Sequence, residues 1–338
     1  MAENIKKTLV IAEAGVNHNG SLQLAKKLVE AAYSAGADVV KFQIFQTASL
    51  VTGYAEKADY QKQGEKSDEG QRGMLEALEL SQADFLELKR YCEDIGIEFL
   101  ATAFDKASMD FLVNELGVAV LKIPSGEINN YPYLVQVASY EKPVLLSCGM
   151  STLGEISESL CVLREHGAGE ITLLHCNTQY PTPYEDVNLR AMVQMGCDFN
   201  VDFGYSDHTP GIEVPIAAAA MGASVIEKHF TLDKNMEGPD HKASLDPREL
   251  AKMVSAIRHV DLALGDGEKR ITESERRNRL VVRKSIVATR PIREGELFTA
   301  ENLTTKRPGI GVDPMRWPFV VGTAAQRDYA EDDMIEES

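Results

Sequence analysis

The sequence predicts an α/β protein, a (β/α)8 TIM barrel followed by a small β-rich domain. Three observations carry that reading. Eight short apolar runs recur between the N-terminus and about residue 264, most of them followed by a helix-forming stretch. Nearly every run carries a polar or charged residue close to its C-terminal end. After about residue 285 the texture changes to short β-like pieces and turns. Eight strands within about 260 residues is the count for this barrel.

In order, the runs are LVIAEAG, ADVVKFQ, IEFLATAF, VAVLKIPSG, KPVLLSCG, ITLLHCN, VDFGYSD and SVIEKHF. They are rich in Val, Ile and Leu and do not alternate cleanly, as expected of strands covered on both faces. Between them, Leu24, Leu28, Ala31, Ala32 and Ala35 recur at helical spacing. Ser81 with Asp84, and Asp246-Pro247 with Glu249, have the spacing of helix N-caps. Cys92 and Cys161 fall in helical patterns and are expected in the core. A doubly wound sheet competes, but VNHNGS after the first run is a poor match to its glycine-rich phosphate loop. Domain bounds follow: a barrel over 1–264, a charged exposed connector over 265–284, and a tail domain over 285–338. A unit of about 55 residues is small to stand alone and is expected to pack on something else.

Bulk properties narrow the function. With 338 residues and 44% apolar content the chain can bury a large core. A formal charge of −17 with no basic run disfavours nucleic acid and anionic membranes as partners. The apolar run after Lys6 and Lys7 breaks at Glu13, too soon for a signal peptide, and the uncharged stretch Ala217 to Ile226 is too short to span a bilayer. Five cysteines without paired metal spacing fit a reducing cytoplasm.

In such a barrel the chemistry sits at the C-terminal ends of the strands, so the polar residues ending each run converge on one mouth. They are Glu13, Lys41 with Gln43, Thr102, Lys122 with Ser125 and Glu127, Ser147, His175 with Asn177, Ser206 with Asp207 and His208, and His229. His208 and His229 close the last two strands, and two imidazoles there can share a divalent cation, Mn²⁺ or Mg²⁺, in an open site. His175 lies one residue deeper and reads better as a hydrogen-bonded core histidine than as a third ligand. His18 either lines the site or caps the helix after NHNG. Lys41 and Lys122, with Ser125, Ser147 and Ser206, can hold a phosphate or carboxylate. A Schiff-base lysine is the rival use, but the sixth run carries no lysine.

IAEAGVNHNGS, VVKFQ, LKIPSGEINNYP, LLSCGM, LLHCNTQYPTPYEDVNL, GYSDHTPG, IEKHFTLDK and GPDHKAS together are very similar to the sialic acid synthase family, and GELFTAENLTTKRPGIG resembles its antifreeze-like (SAF, β-clip) domain. The resemblance spans almost the whole chain. It implies condensation of phosphoenolpyruvate with N-acetylmannosamine or a close relative, giving a nonulosonic acid and phosphate. Carried over by motif, His208 and His229 bind the metal. Lys41, Thr102, Lys122, Ser125, Ser147 and Ser206 surround phosphoenolpyruvate, and Glu127 of SGE is the acid/base. Glu13, Gln43, Tyr180 and Asp240 match sugar-contacting positions, with Asn177 beside Thr178. Arg307 of KRP matches an arginine donated by the tail, in a homodimer whose tail domains are swapped.

Thr178, the pair His241-Lys242 and the loop from Thr47 to Gly73, with Tyr60 and Gln61, depart from the N-acetylmannosamine-specific pattern. The loop resembles the branch making legionaminic acid from a 2,4-diacetamido-6-deoxy sugar. Two other readings are a different phosphoenolpyruvate-dependent sugar-acid synthase or aldolase, and a carbohydrate-binding module.

Overall fold

The computed structural model describes residues 7–52, 55 and 70–336. Eight parallel strands close into a barrel in sequence order: β1 (Leu9–Gly15), β2 (Val39–Ile44), β3 (Glu98–Ala103), β4 (Leu121–Ile123), β5 (Val144–Ser147), β6 (Ile171–Cys176), β7 (Asp202–Asp207) and β8 (Val225–His229). Each lies inside one of the eight apolar runs, save that β2 extends one residue past its run, to Ile44. Closure is the pairing of β1 with β8, from Leu9 opposite Val225 to Glu13 opposite His229.

The helices around the barrel are α1 (Leu22–Ser34), α2 (Thr47–Leu50), α3 (Gln71–Leu78), α4 (Gln82–Ile95), α5 (Lys106–Asn114), α6 (Tyr131–Ala138), α7 (Leu153–Glu165), α8 (Leu189–Phe199), α9 (Glu213–Ala220) and α10 (Pro247–Leu264). Capping follows the sequence signals: Ser81 and Asp84 close a capping box on α4, and Asp246 and Glu249 another on α10. On α1 the buried stripe is Ala25, Leu28, Val29 and Ala32. Cys92 is buried on α4 as expected, but Cys161 is exposed on α7. Its neighbours Ile156, Leu160 and Leu163 fill the inner face of that helix, and Cys161 falls one step past it, with Sγ 3.2 Å from Glu165 Oε1.

Both faces of the strands are buried, which is why hydropathy fails to alternate along them. The outer face (Val10, Ala12 and Ala14 of β1; Val40, Phe42 and Ile44 of β2) packs into the main core under the helices. Inside the barrel, Ile11, Val39, Leu100, Leu145, Leu174 and Val225 form a separate apolar plug toward the strand starts. Two residues further along, the next inward positions are Glu13, Lys41, Thr102, Ser147 and Glu227, with Cys176 of β6 the exception. The plug therefore sets the floor of the site.

The chain divides into two compact units, Met1–Gly265 and Asp266–Ser338. The second begins with a helix, α11 (Glu273–Val282), inside the stretch expected as a connector, and no residue of it is buried. Beyond it, β9 (Ser285–Ala288) and β10 (Leu303–Lys306) pair antiparallel, and a short α12 (Trp317–Val320) follows. This unit has its own core of Ile286, Ala288, Ile292, Phe298, Leu303, Val320, Ala325, Tyr329 and Ile335. Among the described residues no helix is long and apolar enough to cross a membrane.

Candidate active site

A cavity of about 450 Å³ opens at the C-terminal ends of the strands, and most of the residues singled out from the sequence line it. Its floor is an ion cluster on the inward face of the barrel. Lys41 Nζ lies 2.9 Å from Glu13 Oε2 and 3.6 Å from Glu227 Oε2, and donates to Thr102 Oγ1 at 2.8 Å. Lys122 Nζ donates to Ser147 Oγ at 2.5 Å and lies 4.0 Å from Glu227 Oε1. Ser206 Oγ donates to Glu227 Oε1 at 3.0 Å, and Gln43 Nε2 to Glu13 Oε1 at 3.3 Å.

Burial acts on both carboxylates alike, and the lysines around them make the difference. It opposes ionisation of both, and raises the Glu13 pKa to about 7 even beside Lys41. At Glu227 the same burial is outweighed by Lys122 and Lys41 together, which hold it down at about 2. Burial lowers the Lys122 pKa, disfavouring its charged form by more than the nearby Glu227 carboxylate favours it. Glu227 went unnoticed in the sequence because IEKHF reads as a run ended by His229. Two residues before that histidine, it shares the inward face of β8.

The rim carries the histidines. The rings of His208 and His229 have centroids 5.4 Å apart, and Tyr180 packs on His208 at 4.0 Å. His208 Nδ1 meets the Asn177 carbonyl at 2.6 Å, so that nitrogen carries the proton and Nε2 keeps its lone pair. Burial lowers the His208 pKa to about 4 and drives that of His229 well below the usual value, so both imidazoles are neutral at physiological pH. Among the described residues His229 Nδ1 is buried with no hydrogen-bond partner, 4.0 Å from Asp240 Oδ2, and burial raises the Asp240 pKa to about 6. Two neutral imidazoles, one with a bare nitrogen fixed by its carbonyl bond and one with an orphaned nitrogen, fit a pair of metal ligands. Among the described residues no group of three His, Cys, Asp or Glu side chains forms a ligand set.

Local backbone keeps this mouth clear. Gly15 ends β1 at φ 54°, and a Cβ there would sit 3.3 Å from both Glu13 Oε1 and His229 Cε1. Gly149, whose N–H donates to Ser125 Oγ at 2.9 Å, would drive a Cβ to 2.8 Å from Thr178 Cγ2.

Not every expected residue reaches the cavity. Ser125 lines it, but Glu127, at the end of the same 3-10 turn, is half-buried outside the lining, its Oε2 accepting from Asn130 Nδ2 at 2.5 Å. Asn177 contributes its carbonyl to His208, while its side chain accepts from Gln179 N at 2.8 Å. His175 Nε2 bonds the Val187 carbonyl at 2.8 Å, and His18 is buried outside the lining, its Nδ1 accepting from Gly20 N at 3.1 Å. Thr178 lines the cavity. His241 is fully buried between Thr231 Oγ1, at 2.7 Å, and Asn19 Oδ1, at 3.2 Å, where it braces the loop bearing Asp240. Arg307 belongs to the second unit. Tyr60 and Gln61 lie outside the described residues.

The NeuB family model matches residues 28–269, and the SAF domain model matches 283–338. The chain belongs to the NeuB family. The N,N'-diacetyllegionaminic acid synthase of Campylobacter jejuni is 52% identical over 335 residues, 98% of this chain and 100% of that protein. The Legionella pneumophila protein of the same name is 47% identical, over 93% of this chain and 89% of its own length. Among solved structures, the N-acetylneuraminic acid (sialic acid) synthetase of Leptospira borgpetersenii, in complex with citrate, matches with TM-score 0.70 and 33% identity, over 80% of this chain and 90% of that one. These NeuB relatives are sugar-acid synthases, so this chain is a member of an enzyme family.

Proposed function

We propose that the chain is a nonulosonic acid synthase, joining phosphoenolpyruvate to an amino-sugar aldehyde (N-acetylmannosamine or a 2,4-diacetamido-6-deoxy analogue) with release of phosphate. The observation that carries this is the pairing of Lys41 and Lys122 on the cavity floor with the neutral histidine pair at its rim. An acidic protein that binds a triply charged substrate needs a local cationic anchor, and the two lysines supply it.

A divalent ion, Mn²⁺ or Mg²⁺, would be held by His208 and His229 and would act as a Lewis acid toward the sugar carbonyl. The chain's own residues do the rest. Lys41 and Lys122 fix the anionic groups of phosphoenolpyruvate, with Ser125, Ser147, Ser206 and Thr102 adding hydroxyl donors. So held, the enol carbon faces the aldehyde and forms the new C–C bond, leaving positive character on the phosphate-bearing carbon. Water adds there, and collapse expels phosphate with its bridging oxygen. Glu127 is the acceptor of the water proton by resemblance. Glu13 is a second candidate, because it lines the cavity and its pKa of about 7 suits proton exchange near neutrality. Gln43, Tyr180, Asp240 and Asn177 bound the space left for the sugar. Five free cysteines support a cytoplasmic location. We also infer a homodimer with swapped tail domains, in which Arg307 of one chain completes the partner's site.

The test is a phosphate-release assay with one component omitted at a time. Release is expected only with phosphoenolpyruvate, sugar and divalent ion together, and loss is expected after chelation and in His208→Ala and His229→Ala. Unchanged release after thorough chelation, or release without sugar, would overturn the reading.

A further inference from the structure

The inward ring of the barrel has one odd member. Where β1, β2, β3, β5 and β8 present Glu13, Lys41, Thr102, Ser147 and Glu227, β6 presents Cys176, a buried thiol that lines the cavity. Its Sγ lies 3.2 Å from Ser125 Oγ, and that hydroxyl oxygen also accepts from Gly149 N at 2.9 Å. The three groups crowd one point of the wall. A Cβ on Gly149 would stand 2.9 Å from Ser125 Oγ and 3.0 Å from Cys176 Sγ. Ser125 itself opens the 3-10 turn that follows β4, and its hydroxyl faces the same cavity as Lys122.

A serine hydroxyl turns about its C–O bond, with one proton to give and two lone pairs to fill. Gly149 fills one lone pair, so Cys176 decides the rest. If the hydroxyl gave its proton to sulfur, a weak acceptor, none would be left for an anion. If the thiol gives its proton instead, both lone pairs are filled and the hydroxyl proton is left to point at the ligand. Two facts favour the second arrangement. Burial pushes the Cys176 thiol up more than nearby Lys122 draws it down, so the sulfur keeps a proton to donate. An anionic oxygen is also a far better acceptor for Ser125 than sulfur is. We infer that Cys176 is a positioning residue, which turns the Ser125 hydroxyl toward the anionic groups of phosphoenolpyruvate by filling its second lone pair. This rests on the synthase reading. It gives the thiol a part in binding one substrate and none in the bond-making steps.

The experiment is phosphate release against phosphoenolpyruvate concentration, at saturating divalent ion and saturating N-acetylmannosamine or 2,4-diacetamido-2,4,6-trideoxymannose, whichever the parent turns over faster. The chains compared are the parent, Cys176→Ser, Cys176→Ala and Cys176→Val, each with and without Ser125→Ala. Alanine and valine remove the donor, and are expected to raise KM for phosphoenolpyruvate about three- to tenfold, as for one hydrogen bond, with kcat within about twofold. Serine keeps a donor, and its KM is expected within about twofold of the parent value. With Ser125→Ala the thiol has nothing to orient, so its removal should then change KM by less than about twofold. KM does not depend on how much of a variant folds, and valine fills space that alanine leaves, so a stability loss in one does not hide the effect. Unchanged KM in both donorless variants would overturn this inference alone. So would a penalty that persists beside Ser125→Ala or appears equally in Cys176→Ser, or a collapse of kcat in a folded variant. No phosphate release by the parent with either sugar would overturn the synthase reading and this inference with it.

Discussion

Glu227 and Lys228 are adjacent in sequence, face opposite sides of β8, and enter two buried ion clusters of different character. Lys228, fully buried, bonds the Asp207 carboxylate and the Thr209 carbonyl, and Thr209 returns its N–H and hydroxyl to the same carboxylate at 3.1 and 3.0 Å. That cluster is closed, and it clamps both neighbours of His208. Inward, Glu227 shares Lys41 with Glu13, yet among the described residues its Oε2 has no hydrogen-bond partner, and Lys122 is 4.0 Å away. Both clusters pay the desolvation penalty of buried charge, but only the outer one is fully bonded. The spare bonding capacity of the inner one faces a cavity, as expected of groups kept for a ligand.

This contrast can be broken by mutation. Lys228→Met strands the buried Asp207 carboxylate, and should lower unfolding stability by about 3–5 kcal/mol in urea denaturation. Recovery of much of that loss in the double variant Lys228→Met/Asp207→Leu is expected, since the orphaned charge is then gone. Lys122→Met should do the reverse, with little change in stability, because Glu227 keeps Lys41 and Ser206, and a fall in kcat/KM of about a hundredfold or more. A stable Lys228→Met, or a Lys122→Met that unfolds while retaining activity per folded molecule, would erase the distinction.

A subunit-mixing experiment asks whether the inner site is completed by a second chain. Arg307→Ala alone is expected to lower kcat/KM about ten- to a hundredfold, as for one charged hydrogen bond to substrate. Mixing it with inactive His208→Ala chains should then raise activity above the sum of the two parents, since each mixed dimer holds one intact site. Exchange demonstrated without that gain would put the arginine to work within its own chain, or nowhere.

The smallest effect belongs to a third ion cluster, where solvent reaches in. Asp38 gathers Lys7, the Val10 N–H and Arg258 between β1, β2 and α10. Burial there favours the neutral carboxyl, but those donors outweigh it and hold the Asp38 pKa below its usual value. With the folded group the stronger acid, its contribution is complete above the ordinary carboxylate range and is lost as pH falls through that range to the folded value. Asp38→Asn should therefore cost stability at neutral pH and little at a pH of about 2. Equal costs at both would refute it.

The barrel was legible because each strand, buried on both faces, leaves an apolar run, and because Ser81 and Asp246 announce their helices. The polar ring was legible wherever a polar residue ended a run. Glu227 escaped because it lies inside one, and alternation with His229, not the run's end, is what marks it. The apolar side of the cavity escaped for a different reason. Phe45, Met74 and Phe104 come from separate stretches with no shared period, and only the fold collects them. Cys161 misled because a helical pattern fixes a face only to within one residue.

The central claim is that phosphate leaves by rupture of the C–O bond after water adds at its carbon. Phosphoenolpyruvate labelled with ¹⁸O in the bridging position tests it directly, by mass spectrometry of both products. The account predicts the label in inorganic phosphate and none in the sugar acid. Label retained in the sugar acid would mean P–O cleavage followed by aldol addition of pyruvate, and would contradict it.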